Sequence, residues 1–309
     1  MAKFYSGIVL LSGIMWGTIG IFVHQLREFN FTSVQISALR WIFSAVIVLA
    51  AVAVYDWKKL KIKLRDVWMF AFTGICSSLA MSTFYFLSME RTSVAVSDVL
   101  LYTSPVWVMI FSAVFLKEKI TAKKALSIML AFAGCAFVSG VFEQKNTSFN
   151  VWGILLGICS GIAYSLYSVA GKTILGKYDR ITLTVYNFIF AAAGAMFIIN
   201  VPQTAKAIAA NAGALKPVAM LAVTGTVVPF FMYTAALKHL SPSGAAVLCC
   251  IEPVSATAVS VFVIGEKLSI MQFLGIVFII FAIVYIQLVS GEKNNKSFIG
   301  KTNLGRLLK

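Results

Sequence analysis

Ten runs of about 20 apolar residues follow one another along the 309-residue chain, each bounded by charged or turn-forming residues. Such a run, at about 1.5 Å per residue, is long enough to cross the roughly 30 Å hydrocarbon core of a bilayer. The runs lie near 6–24, 34–55, 67–88, 93–115, 122–141, 151–171, 182–201, 217–237, 243–264 and 270–289. Hydrophobic residues make up 60% of the chain and charged residues only 12%. Soluble domains carry about 25% charge, so a water-soluble globule is excluded. The expected fold is all-α and integral to the membrane, with ten spans and almost no soluble domain. The apolar stretch after Met1 shows no clear small-residue cleavage site and reads as a retained first span.

The formal charge is +15, which in a soluble protein would suggest nucleic acid. Here the cations sit between apolar runs and report orientation instead. With the amino terminus inside, 19 Lys and Arg residues fall in the inner segments. These are Lys3, the cluster from Lys58 to Arg65, the cluster from Lys117 to Lys124, the residues Lys172, Lys177, Arg180 and Lys238, and the tail beyond 290. Six fall outside: Arg27, Arg91, Lys145, Lys206, Lys216 and Lys267. The positive-inside rule then places both termini in the cytoplasm, in a multi-pass protein of a cell membrane such as the bacterial inner membrane. Trp57, Trp68 and Trp152 mark span ends, where indole rings favour the headgroup boundary.

The chain also repeats itself. Residues 91–121 lie on residues 239–269 at a constant shift of 148, so that Ser93 meets Ser241, Pro105 meets Pro253, Glu118 meets Glu266 and Thr121 meets Ser269. Gly13 to Gly17 lies on Gly157 to Gly161 at a shift of 144, and Arg40 meets Asn187 at 147. Two homologous five-span repeats are expected, 1–142 and 147–290, followed by a basic cytoplasmic tail, 291–309, attracted to anionic lipid. Five is odd, so the second repeat must be inverted relative to the first. Inverted repeats let many secondary transporters alternate access to a site near the midplane.

These residues resemble the drug/metabolite transporter superfamily, specifically its EamA-type members with ten spans in a five-plus-five repeat. The resemblance rests on Gly13-x-x-Trp16-Gly17, Leu39-Arg40-Trp41-Ile42, Pro105 and Glu118 in the first half. In the second half it rests on Glu252-Pro253-Val254, Gly265-Glu266-Lys267 and Gln272-Phe273-Leu274-Gly275. It implies metabolite export, often of amino acids, through a central cavity lined mainly by spans 1, 3, 4, 6, 8 and 9.

Only Arg40, Asp98 and Glu252 place charge well inside the spans, at an insertion cost of at least about 2.5 kcal/mol each. Arg40 shares a helical face with Ser33, Ser37 and Ser44. It either snorkels or bonds nearby carbonyls to fix packing, or it serves the pathway. Its repeat mate Asn187 is uncharged. Asp98, Tyr102 and Pro105 share a face of span 4. Pro105 and Pro253 withhold a hydrogen bond from the carbonyls of Leu101 and Cys249, so paired kinks are expected near mid-membrane. Asp98 maps to Ala246 and Glu252 to Ser104, so the pathway chemistry is asymmetric. Either acid is a candidate to exchange a proton for substrate. The aromatic residues Trp16, Tyr85, Trp107, Tyr164, Tyr167, Tyr186 and Tyr233 are candidates to line a mostly apolar cavity. Of these, Tyr85 and Tyr233 are repeat mates.

The substrate-binding candidates are therefore Trp16, Tyr85, Asp98, Tyr102, Tyr164, Tyr167, Tyr233 and Glu252. Arg40, Pro105, Asn187 and Pro253 are structural or pathway candidates. No cofactor, metal or catalytic residue is expected, because the five cysteines sit in apolar runs and no Ser-His, paired-acid or metal spacing occurs. The expected partners are a small molecule and membrane lipid, not nucleic acid. The reading is a secondary transporter exporting small metabolites, amino acids foremost, by alternating access. Its alternative is proton-coupled efflux of lipophilic organic cations or drugs.

Overall fold

The computed structural model describes residues 2–143, 150–265 and 267–304, with the side chains of Ala2, Ile264 and residues from Val289 onward outside the described set. Glu266 and the expected join between repeats, 144–149, likewise lie outside it. Among the described residues there is no strand. Among the described residues nine helices are long and apolar enough to cross a bilayer. Span 1 is Lys3–Glu28, span 2 Ser33–Tyr55, span 3 Leu64–Arg91, span 4 Val94–Leu116, span 6 Val151–Ile174, span 7 Arg180–Ile198, span 8 Ala212–Leu237, span 9 Pro242–Val263 and span 10 Ile270–Leu288. The expected fifth span is a 17-residue helix, Ala122–Val138, about 26 Å long. The helix that forms span 10 continues to Leu304.

Local chemistry explains the boundaries. Thr32 and Gln35 form a reciprocal capping box that starts span 2. The Ser93 hydroxyl accepts the Val96 amide at 3.2 Å and its mate Ser241 accepts the Gly244 amide at 3.2 Å. Thr121 caps the amide of Lys124 at 3.3 Å, as Ser269 caps that of Gln272 at 3.1 Å. Two of the matches at a shift of 148, Ser93 with Ser241 and Thr121 with Ser269, are thus N-caps, where a side-chain oxygen satisfies an otherwise orphaned amide.

The packing crosses between the halves. Span 1 packs on spans 8 and 9, span 6 packs on spans 3 and 4, span 2 faces span 7, and span 5 faces span 10. The last contact is made by two glycines. A Cβ on Gly275 would stand 2.6 Å from the Gly134 carbonyl oxygen and 2.7 Å from the Val138 amide nitrogen. Backbone cannot yield to it as a flexible side chain would, so Gly275→Val must part the helices at about 3 kcal/mol. A lowered unfolding midpoint in detergent checks this; an unchanged midpoint refutes the close approach.

Spans 4 and 9 break where expected. Span 4 pauses at Tyr102 and Thr103 between Val94–Leu101 and Ser104–Leu116, and span 9 pauses at Cys250, the repeat mate of Tyr102. The carbonyls freed by the prolines are covered by glycines of a crossing helix. A Cβ on Gly161 would lie 3.2 Å from the Leu101 oxygen, and one on Gly13 would lie 3.3 Å from the Cys249 oxygen. The kinks therefore serve the seams of span 4 with span 6 and of span 9 with span 1. These contacts also correct a register: Gly13 corresponds to Gly161, at 148, rather than to Gly157. Glycines four apart on span 6 made identity alone ambiguous by one turn.

Candidate functional site

Trp16 of span 1 stands edge-on to Phe230 of span 8, with ring centroids 5.4 Å apart, and 5.6 Å from Tyr233. Tyr167 of span 6 packs edge-on to Phe230 at 5.2 Å. With Tyr164 and with Ser77, Ser78 and Met81 of span 3, these rings enclose a small cavity with room for about one water. Most of the polar tips are tied. The Tyr233 hydroxyl lies 2.6 Å from that of Ser168, and the Tyr167 hydroxyl 2.7 Å from that of Thr234. The Trp16 indole N–H is buried without a partner among the described residues. Tyr164 and Tyr233 form the wall between this cavity and a second, bounded also by Ser104, Ser168, Ala246 and Cys249.

The acidic candidates sit on spans 4 and 9, which pack on spans 6 and 1, and neither acid borders either cavity. The Tyr85 hydroxyl donates to Asp98 Oδ1 at 2.7 Å. Tyr102, at the break of span 4, is buried within electrostatic reach of both Glu252 and Asp98. Glu252 lies within reach of Asp98 and Arg40, and Tyr164 within reach of Glu252. Tyr164 therefore joins the two groups. Tyr85, expected on the cavity with its mate Tyr233, instead holds Asp98. The mates thus differ in partner, an acid for Tyr85 and a neutral hydroxyl for Tyr233.

Arg40 does not snorkel. Its Nε donates to the Thr226 hydroxyl at 2.6 Å, its Nη2 donates to the Gly225 carbonyl at 3.3 Å, and its guanidinium lies 5.0 Å from the centroid of the Trp41 ring. On the same face, the Ser44 hydroxyl donates to the Ala222 carbonyl at 3.3 Å. Asn187 does the equivalent in the other half, its Oδ1 accepting from Ser78 at 3.0 Å. Ser78 and Thr226 are mates at 148, and both sit in π-helical segments, Phe72–Leu79 in span 3 and Val223–Val227 in span 8. A π turn inserts one extra residue, which re-aims the hydroxyls that follow it. Each half thus clamps the wound segment of the other.

The EamA-like transporter family matches this chain twice, over residues 4–140 and 151–288. The chain belongs to that family. As an EamA-like protein it is a multi-pass membrane transporter of the drug/metabolite transporter superfamily. Its relatives include a transporter of Archaeoglobus fulgidus, 26% identical over 88% of this chain and 92% of that protein. A transporter of Clostridium kluyveri is 27% identical over 93% and 94%, and an inner membrane transporter of Salmonella typhimurium is 20% identical over 92% and 95%. A solved crystal structure superposes with a TM-score of 0.75 over 94% of this chain and 98% of that one. At 16% identity, that likeness is one of fold.

In this EamA-like chain, sequence reasoning missed Ser77, Ser78, Met81, Ser168 and Phe230. The Ser77-Ser78 pair within an apolar run carried a signal, since adjacent hydroxyls in mid-span need partners: Ser77 donates to the Ala163 carbonyl at 2.7 Å and Ser78 to Asn187. Phe230 carried none, because one more aromatic residue in a span looks like packing.

Proposed function

We propose that the protein exports a small metabolite, with amino acids the leading class, by rocking two inverted five-helix halves about the aromatic chamber. The single observation that carries this reading is the placement of the chamber where spans 1, 3, 6 and 8 meet, so that both halves contribute its walls. The exchange of contacts between halves supports a shared axis, and both termini then lie in the cytoplasm. One end of the bundle gathers the basic segments. Tyr5 stacks on His239 at 3.8 Å, the Lys63 amide donates to the Tyr178 hydroxyl, and Lys172 bonds residues 237–240. By the positive-inside rule that end is cytoplasmic. Asp98 and Glu252, mid-span beside aromatic rings, also suit a second reading, proton-exchanged efflux of lipophilic cations.

Purified protein in liposomes, offered labelled amino acids, nucleosides and organic cations at two pH values, tests the reading. Amino acids are expected to exchange, and Trp16→Ala to slow them at least about tenfold, since the indole supplies both a wall and an open donor. Movement of cations with amino acids inert would transfer the assignment to the second reading.

A further inference from the structure

The segment that joins spans 2 and 3, residues 56–66, carries five cations, Lys58, Lys59, Lys61, Lys63 and Arg65, against two acids, Asp56 and Asp66. Orientation in a bilayer calls for such charge but not for a fixed arrangement of it. Here the arrangement is fixed. The Tyr186 hydroxyl donates to the Leu60 carbonyl at 2.6 Å, the Thr182 hydroxyl donates to the Lys59 carbonyl at 2.8 Å, and the Lys63 amide donates to the Tyr178 hydroxyl at 3.2 Å. Leu60 and Ile62 pack against the core of the bundle. Lys61 and Lys63 have extended backbone, in which neighbouring side chains alternate, so Ile62 turns inward and the lysines on either side of it turn out. Two turns draw the remaining cations alongside: the Lys61 amide donates to the Lys58 carbonyl at 3.1 Å, and the Asp66 amide to the Lys63 carbonyl at 2.9 Å.

Both acids are already engaged. Asp56 lies 3.9 Å from Lys59, while Asp66 accepts from the Tyr178 hydroxyl at 2.8 Å and lies 3.6 Å from Lys177. Lys61 rests over the Trp57 ring, 4.9 Å from its centroid. Lys58, Lys63 and Arg65 are exposed, and none of them pairs with a carboxylate among the described residues. The surface around them is apolar. Val54 and Tyr55, at the end of span 2, and Trp57, Leu64 and Trp68, leading into span 3, are all exposed. A soluble anion meets the cations and leaves these side chains bare. A phospholipid of net negative charge meets both, its phosphate on the cations and its acyl chains on the apolar residues.

We infer that residues 54–68 form a docking surface for an anionic phospholipid of the leaflet at this end of the bundle, with Lys58, Lys63 and Arg65 holding the headgroup. The corresponding segment of the second half, 199–211, carries a single cation, Lys206, so the repeat does not duplicate the surface. Tyr178, Thr182 and Tyr186, which pin the segment, belong to the second half, so the lipid sits on a joint between the two halves.

The test uses the full-length chain in lipid nanodiscs, in a cysteine-free background with Leu64→Cys carrying a bimane fluorophore. The quenchers are nitroxide-labelled phosphatidylglycerol and phosphatidylcholine with the same acyl chains. Phosphatidylglycerol is expected to reach half-maximal quenching at a share of the lipid at least roughly tenfold lower, since each basic residue near the surface favours anionic lipid about fivefold. Joint replacement by Lys58→Gln, Lys63→Gln and Arg65→Gln is expected to bring the two lipids within about twofold, whereas Lys58→Arg with Lys63→Arg keeps the preference. Raising the salt from about 0.05 M to about 0.5 M is expected to shrink the preference in the parent. Equal quenching by both lipids in the parent, or an undiminished preference in the Gln protein, would overturn the inference. A preference indifferent to salt would do so too, and that measurement needs no change among the cations. Abolition of the preference by millimolar pyrophosphate at constant ionic strength would give the cations to a soluble anion and overturn it likewise.

Discussion

A cysteine at Lys119 is expected to react with a membrane-impermeant maleimide only from the cytoplasmic face, and one at Lys267 only from the opposite face. The two positions are repeat mates at a shift of 148, each following the span broken at Tyr102 or Cys250. Each precedes the capping residue, Thr121 or Ser269, that starts the next helix. Mates in a parallel duplication would share a face. Mates separated by an odd number of spans cannot. The effect is close to all-or-none, with a labelling ratio between faces of at least about tenfold for each site, and orientation follows the basic segments. Native Cys76 and Cys159 are exposed on the helix surfaces, so the experiment belongs in a cysteine-free background. Labelling of both positions from one face would remove the inversion, and alternating access of two halves would go with it.

Spans and kinks were legible because each has a one-dimensional cause. Hydropathy over about 20 residues marks a span, Ser or Thr before an apolar run marks a cap, and proline marks a lost amide. Trp57, Trp68 and Trp152 are exposed at 59%, 66% and 72%, as interfacial anchors should be. What the sequence withheld depends on pairs far apart in the chain. That Arg40 meets Thr226 rather than water is a contact across 186 positions, and its mate pair, Asn187 with Ser78, spans 109. The π segments that aim Ser78 and Thr226 have the composition of ordinary helix, so no periodicity betrays them. The partner of Tyr85 is hidden for the same reason. Repeat symmetry predicts equal surroundings for mates, but span 4 carries Asp98 where span 9 carries Ala246, and the phenol follows the acid.

Loss of the Lys172 ammonium is expected to open the basic end of the bundle. From the last turn of span 6, its Nζ donates to the carbonyls of Leu237, Lys238 and Leu240 at 2.8, 3.0 and 2.8 Å. These oxygens close span 8, where a helix leaves carbonyls unpaired and its dipole is negative, so a cation there is doubly favoured. The same turn is held from two other sides. Tyr5 stacks on His239, and Ser243 donates to Glu118 Oε2 at 3.0 Å while Lys124 pairs with that carboxylate. Hydrogen bonds to a charged group contribute about 1.5–3 kcal/mol each, but Lys172 is only half-buried. Discounted for solvent screening, the three together hold the turn by about 2 kcal/mol, or roughly 30-fold in the closed-to-open ratio. Lys172→Met keeps the length of the side chain and removes the charge. In that protein a cysteine at Ala246, which lines the cavity between Tyr233 and this end, is expected to react with maleimide from the cytoplasmic side about 30 times faster, and Lys172→Arg to restore most of the protection. Span 6 also supplies Tyr164, Tyr167 and Ser168 to the chamber walls, so the residue that latches the turn rides on the helix that feels the ligand. An unchanged labelling rate in Lys172→Met would mean that the turn is held by Glu118 and Tyr5 alone, with span 6 free to move beneath it.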